Sequence, residues 1–306
     1  MSAPSFVRSN YSDLFGSGML PVLEEMFRSE LDLHPSRRSE LFKMVSTDRD
    51  IYQSSELHDM PLFNEVPEGT DYTYSRPKQG ANKTMSIVKY GSGFSISEEA
   101  VADGRFDFIA DAVRKMAESA QESQEISAMN IFNNGFGTEN TPDGQDIFST
   151  AHTLPSGLTW ANRPATDVDL SVSALDQALK EFEINPIGDS GIVKRIQPKI
   201  LLVHPSQKRY AMELIGSDLK ADTSDNNMNS FKQDGLRVIS SPHITDTDSW
   251  FLLADPSKTG FRIVVREALT TKSDEAFDND SIKYKARYRE ALGCVSAYGA
   301  WATTGV

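Results

Sequence analysis

Hydrophobic spacing changes character several times along the chain, and each change predicts a different element. Leu23, Met26, Phe27 and Leu31 fall on one helical face behind Pro21, a residue suited to a first helical turn, until "LHPSRRS" breaks the pattern. The period predicts an arm over residues 12–45 built from short helical pieces. A segment of that size with its own apolar stripe cannot fold alone and must pack on something, a second subunit being one option. Residues 51–97 read differently: Tyr, Thr and Ser dominate, Pro61, Pro67, Gly69, Pro77 and Gly80 interrupt, and large aliphatics are few. "KTMSIVKYGSGFSIS" (Lys83 to Ser97) is strand-like, and "SSELHDMPLFNEV" is its expected partner in a long hairpin with a polar tip near Asp71 to Gly80. A lone two-stranded ribbon is marginal in water, so this part too needs a surface to lie on.

From Gly104 to Asn133 the period becomes helical. Phe106, Ile109, Val113, Met116 and Ala120 share a face, Met129 to Phe132 continue it, Asp103 is the candidate N-cap and "NNGFG" ends it. Such a helix runs about 40 Å. Its other face carries Asp107, Asp111, Glu118, Glu122 and Glu125, read as a solvated stripe rather than a cation site. A Gly/Pro/Asn-rich loop follows over 134–168. Then come a helix (Ser173 to Phe182), the buried-type strand "KILLVHP", the helix "SQKRYAMELI" and the strands "LRVISSP" and "WFLLAD". This alternation predicts a compact α/β subdomain over about 169–255. Two long strands close the chain, "GFRIVVREALTT" and "SIKYKARYREALGCVSAYG". In the second, Ile282, Tyr284, Ala286 and Tyr288 alternate with Lys283, Lys285, Arg287 and Arg289, a half-buried strand whose cations face solvent, acidic neighbours or phosphate.

Composition narrows the class. The chain has 306 residues, 39% apolar and 25% charged, a folded composition with room for one large domain or two ordinary ones. No apolar run approaches a membrane span, and the N-terminus lacks the apolar core of a secretion signal, so synthesis in the cytoplasm and no membrane are expected. The sequons at Asn10, Asn82 and Asn279 then carry no meaning. A net charge of −13 argues against gripping nucleic acid through its phosphates. Cys294, the single cysteine, sits among small apolar residues and reads as a packing thiol, and with it no Cys-based zinc site and no disulfide are expected.

One constellation suggests chemistry. "FSTAH" (Phe148 to His152) precedes "GDSG" (Gly188 to Gly191), with Asp167 and Asp169 between, as if a Ser/His/Asp hydrolase were present. The segment between them is a Pro/Asn loop and one helix rather than barrel strands, and Ile192 stands where a second glycine would shape the oxyanion turn. His34, His58, His204 and His243 offer nothing better, and no zinc-protease, Walker or dinucleotide motif occurs. No catalytic, cofactor-binding or metal-binding residue is assigned.

The order of parts resembles the major capsid proteins of tailed bacteriophages, the Hong Kong 97 fold, and within it the Mu-like major head subunits. "YGSGFSISEEAVADGRFDFI" is similar to the passage from extended loop into spine helix. "NNGFG…DGQDIFSTAHTLPSGLTWANRPA" is similar to the loop after that helix, where family members carry a like Phe-Ser-x-Ala-His and a later Asn. "PKILLVHPSQKRYAMELI" and "GLRVISSPHITDTDSWFLLADP" are similar to the axial subdomain, and "DSIKYKARYREALGCVSAYGAWATTG" to the closing strands of the peripheral subdomain. The resemblance implies an α+β chain divided into an N-terminal arm (1–50), an extended β-hairpin loop (51–97), a peripheral subdomain with spine helix (98–168), an axial subdomain (169–258) and peripheral closing strands (259–306). It implies a structural protein of the virion, not an enzyme and without cofactor, which self-assembles as pentamers and hexamers into an icosahedral shell around double-stranded DNA. The extended loop would lie over a neighbour's spine helix, and the acidic balance would suit a wall that does not adsorb DNA. Scaffold, portal and decoration proteins are the further partners so implied, the short arm pointing to a separate scaffold or none. No covalent crosslink is assigned to Lys78, Lys83 or Asn279. A cargo-enclosing nanocompartment shell of the same fold is the alternative, and a serine hydrolase a remote one.

Overall fold

The computed structural model describes residues 19–33, 36–57, 59–60, 62–72, 74, 76, 79–97, 99, 106–217, 230–232, 234–276 and 281–306. The expected cap Asp103, the sequon Asn10, the histidines His34 and His58, and Lys78 and Asn279 lie outside them.

Helix α1 (Met19–Leu33) is amphipathic as its spacing predicts. Leu23, Met26 and Phe27 are buried against Ile109, Val113, Met116 and Ala117 and against Ile96, Tyr284 and Ala286 of the neighbouring sheet. The stripe therefore finds its surface inside its own subunit, and the described part of the arm needs no second copy to cover it. The cause is the long helix α3 (Phe106–Asn133), whose 28 residues run about 42 Å. Its first half lies beyond the central core, where Ile96, Tyr284 and Ala286 of the sheet and the stripe of α1 bury Ile109, Val113 and Met116 together. After the short helix α2 (Arg38–Leu41), β1 (Lys43–Ser46) enters the first sheet parallel to β10 (Phe261–Ala276).

That sheet has the order β1-β10-β11-β4, with β11 (Ser281–Cys294) and β4 (Val88–Ser97) antiparallel to their neighbours. The strand expected over Lys83 to Ser97 is thus two strands. Its first part is β3 (Gln79–Ser86), paired with β2 (Ile51–Leu57) in the hairpin in the register Ile51↔Ser86. At Ile87, whose N–H donates to the Asp50 carbonyl (3.0 Å), the partner chain turns away toward β1, so β4 finds β11 instead. The partner strand also stops at Leu57, short of Pro61 and Pro67, which cannot donate ladder hydrogen bonds.

The second sheet, β12-β9-β7-β8, forms the α/β part: β7 (Pro198–Val203), β8 (Arg237–Ser240) parallel to it, β9 (Trp250–Ala254) and β12 (Ala300–Thr303). Helices α4 (Val172–Ile184) and α5 (Lys208–Gly216) cover one face, burying Leu175, Ala178, Phe182, Ala211 and Leu214 against Leu201, Val203 and Leu252. Ser171 caps α4 by accepting the Ala174 N–H at 3.2 Å. β12 pairs with β9, not with the sheet that residues 259–306 were expected to close. Trp301 anchors it there, its ring tilted against Trp250 at 4.9 Å while its indole N–H donates to Glu181 (3.0 Å). The other face meets the end of α3 through Phe42, Phe132, Phe148, Phe251 and Phe261, whose neighbouring ring centroids lie 4.9 to 5.7 Å apart. One aromatic core thereby joins the arm, the long helix, the loop after it and both sheets.

Candidate assembly surface

The loop after α3 holds the suspected histidine. The two-residue strands β5 (His152–Thr153) and β6 (Thr159–Trp160) pair so that His152 lies opposite Trp160, and the rings stack at 4.8 Å. His152 is buried; its Nδ1 lies 2.8 Å from Asp143 Oδ2 and its Nε2 3.1 Å from Asn162 Oδ1. Asn162 is fixed in turn, accepting the Ser149 N–H and donating to the Ile147 carbonyl, both at 2.8 Å. Burial pushes the Asp143 carboxyl up, but hydrogen bonds from His152 and Thr141, the His152 charge and the Gln145 N–H outweigh it and hold the group below the usual range.

A general base needs a ring nitrogen free to meet the nucleophile, and both nitrogens of His152 face other partners. Ser190 stands on an exposed turn closed by the Gly191 N–H on the Gly188 carbonyl (2.9 Å). Asp167 forms a two-point pair with Arg163 (3.0 and 2.5 Å), and Asp169 accepts the Val306 N–H (2.9 Å). His152, Asp167 and Asp169 are therefore each held by other partners, and among the described residues none of them hydrogen-bonds Ser190. Of the two partners of His152, Asp143 escaped the sequence reading. A later Asn was noted after the His, but nothing in the spacing marks Asp143, which a loop turn carries back to the ring.

Beside His152 the hairpin is rooted. Trp160 stacks on Tyr298 at 4.7 Å, Lys194 sits 3.8 Å above the Tyr298 ring, and Lys194 pairs with Asp59 (3.6 Å) just beyond β2. Asp59 lies so close to Gly188 that a Cβ there would fall 1.4 Å from its carboxylate, so the "GDSG" glycine seats the hairpin rather than an oxyanion. On the other strand Lys83 donates to the Asn140 carbonyl, while Met85 is buried with Val264, Ala291 and Val295. Beyond this root the hairpin loses cover. Met60, Leu62, Phe63, Val66, Tyr72 and Tyr74 are all exposed, around a turn in which the Thr70 N–H meets the Pro67 carbonyl (3.2 Å). Six large hydrophobic groups exposed along one short segment call for a partner surface.

Two residues of the acidic stripe on α3 have structural work. Glu125 accepts from the Ser36 hydroxyl (2.5 Å) and the Arg37 N–H (2.9 Å), and Glu122 lies 3.2 Å from His243 beside β8. Deeper, Arg38 of α2 and Glu290 of β11 form a buried two-point pair (3.2 and 2.9 Å). Burial pushes the Glu290 carboxyl up, Arg38 only partly offsetting it. Burial, with Glu290 and Tyr90 adding to it, raises the adjacent Tyr288 hydroxyl to about 12. Cys294 is buried, its thiol donating to the Ser296 carbonyl (3.0 Å).

A family model described as phage capsid protein matches residues 81–303. The chain belongs to the phage capsid protein family. Solved structures agree at the level of fold. The capsid protein of the cyanophage P-SCSP1u superposes with a TM-score of 0.61 at 11% identity over 88% of this chain and 87% of that one. A subunit of the virus-like particle from Pyrococcus furiosus gives 0.56 at 12% identity over 94% and 99%. A chain from Mycobacterium phage Adephagia gives 0.52 at 14% identity over 99% of each. No curated protein sequence matches at a significant level. The capsid protein thus has the Hong Kong 97-like α+β fold, and its family is one of structural shell components.

Proposed function

We propose that this capsid protein is the major head subunit of a tailed phage, of the Mu-like type that the sequence motifs resemble, assembling as pentamers and hexamers into an icosahedral shell around double-stranded DNA. In this reading β2, β3 and the residues between them are the extended loop. α3 is the spine helix, the β1-β10-β11-β4 sheet belongs to the peripheral subdomain, and the second sheet with α4 and α5 is the axial subdomain. The observation that carries the reading is the hairpin: firmly rooted at Lys194, Asn140 and Met85, and apolar and exposed at its tip. A rigid root with an uncovered end is the form of a reaching contact, and shared burial between copies stabilises it. The function is structural rather than enzymatic, with His152 holding a loop and Ser190 completing a turn. Synthesis in the host cytoplasm and residence in the virion follow, with scaffold, portal and decoration proteins as the other partners. The family match to phage capsid proteins favours a genome shell over a cargo compartment. Deleting Pro67 to Gly80 is the test. The shortened chain is expected to fold but not to form shells, and a chain that assembles normally without those residues contradicts the reading.

A further inference from the structure

The buried ring of His152 meets an acceptor at each of its nitrogens. On the Nε2 side the amide of Asn162 cannot turn over. Its Oδ1 accepts the Ser149 N–H and its Nδ2 donates to the Ile147 carbonyl, both at 2.8 Å, and a flipped amide would set donor against donor and acceptor against acceptor. The atom 3.1 Å from Nε2 is therefore an oxygen that accepts, and Nε2 must carry a proton. On the Nδ1 side stands Asp143 Oδ2 at 2.8 Å, and an ionised carboxylate only accepts. Asp143 is held below the usual carboxylate range, so at neutral pH Nδ1 must carry a proton as well. A neutral imidazole has one ring proton for these two oxygens. The face of the ring lies on Trp160 at 4.8 Å, where the indole attracts a cation. The other ionisable groups that line the pocket with His152 are Asp59 after β2, Asp189 of the 188–191 turn, Lys194 and Tyr298, so that with Asp143 three carboxylates face one ammonium.

This ring stands between the two limbs of the hairpin root. On one side Asp143 belongs to a turn closed by the Asn140–Asp146 bridge and by the Thr141 N–H on the Gln145 carbonyl (2.8 Å), and the Asn140 carbonyl of that turn receives Lys83 of β3. On the other side Trp160 stacks on Tyr298, over which sits Lys194, the partner of Asp59 beyond β2. We propose that His152 is held as an imidazolium whose two N–H groups form a proton-operated clasp on the root of the hairpin. When one ring proton is lost, acceptor faces acceptor at Asp143 or at Asn162, and the clasp opens on that side. The seat of Lys83 or the Trp160–Tyr298 stack loosens with it. Linkage fixes the sign: a proton bound by the fold makes stability fall as pH rises. The clasp lies within one chain and acts whether or not copies assemble, so it stands apart from the shell-forming reading.

The test is nitrogen NMR of full-length protein labelled with 15N-histidine, together with thermal melts and limited proteolysis of the hairpin between about pH 6 and pH 9. The chain has 5 histidines, and the resonances lost in His152→Gln assign the ring. Wild type is expected to show both ring nitrogens of His152 protonated at neutral pH. Over the pH range its melting temperature should fall by about 3 °C, and hairpin cleavage should quicken about fivefold, as the loss of one buried hydrogen bond predicts. Asp143→Asn is the decisive variant. Its amide oxygen keeps the Thr141 hydroxyl and the Gln145 N–H, which now meet Oδ1, while the new NH₂ donates to an unprotonated Nδ1. The ring should then carry one proton at neutral pH, and the alkaline losses of melting temperature and protection should vanish. His152→Gln should melt lower than wild type and likewise lose the alkaline response. A singly protonated His152 in wild type at neutral pH would overturn the proposal. So would an alkaline response that persists unchanged in Asp143→Asn, which would assign the response to other groups even if His152→Gln fails to fold.

Discussion

Removing Arg38 tests the buried tie between α2 and β11. The side chains of Arg38 and Glu290 are only 6% and 3% exposed, and they meet through two hydrogen bonds. At about 3 Å and an effective dielectric near 20, their attraction is about 5 kcal/mol. Withdrawing each ion from water costs several kcal/mol, so the intact pair contributes little net stability. Arg38→Met breaks this balance by leaving a buried carboxylate alone, and it should destabilise the subunit by about 3–5 kcal/mol at neutral pH. The paired change Arg38→Met with Glu290→Leu removes both charges and should return to within about 1–2 kcal/mol of wild type. The pH dependence follows from the raised carboxyl. A group whose pKa is higher folded than unfolded favours the fold below its unfolded value, and that contribution is lost as pH rises through the folded one. Without Arg38 the carboxyl is pushed higher still, so the damage should be greatest at neutral pH and shrink toward pH 5. The assay is urea unfolding of unassembled subunit at several pH values. A single mutant costing under about 1 kcal/mol, or a double mutant as unstable as the single, would refute the reasoning.

Further outcomes follow from the same geometry. Asp143 is held below the usual range, so it stabilises the fold above its unfolded pKa and that contribution disappears as pH falls through the folded value. Asp143→Asn should accordingly flatten the acid limb of a melting-temperature profile. His152→Ala loses two hydrogen bonds and a stacked ring and should cost about 2–4 kcal/mol and reduce shell yield. Ser190→Ala should change stability by less than about 0.5 kcal/mol, and wild type should take no label from a fluorophosphonate probe. Phe132→Ala, at the junction of both sheets, should cost about 3–5 kcal/mol in the same unfolding assay.

What the sequence made legible was local. The spacing of Ile109, Val113 and Met116 predicts α3, and "KILLVHP", "LRVISSP" and "WFLLAD" each became a strand of the second sheet. What stayed hidden depended on partners distant along the chain. Nothing between Lys83 and Ser97 shows that the run divides at Ile87, because the division is imposed by Asp50 and by β11. The stripe on α1 is plain in the sequence, but its burial against Val113 and Tyr284 of the same subunit is not. "CVSAYG" reads as the tail of a long strand, whereas β11 stops at Cys294 and Gly299, at φ 77°, lets the chain turn so that Trp301 reaches Trp250 and Glu181. At the candidate site His152 was conspicuous and Asp143 was not, since a carboxylate in a turn carries no periodic signal. The cations of β11 were visible as an alternation, but their opposition to Lys272 and Lys89 needed the register.

The central claim is that this chain builds a closed shell from many copies of itself. Negative-stain electron microscopy of purified protein, with sedimentation on the same sample, tests it most directly. The account predicts icosahedral particles tens of nanometres across, or free pentamers and hexamers, with Pro67 to Gly80 protected from protease only in the assembled form. A strictly monomeric species at high concentration, with that hairpin segment already protected, would contradict it.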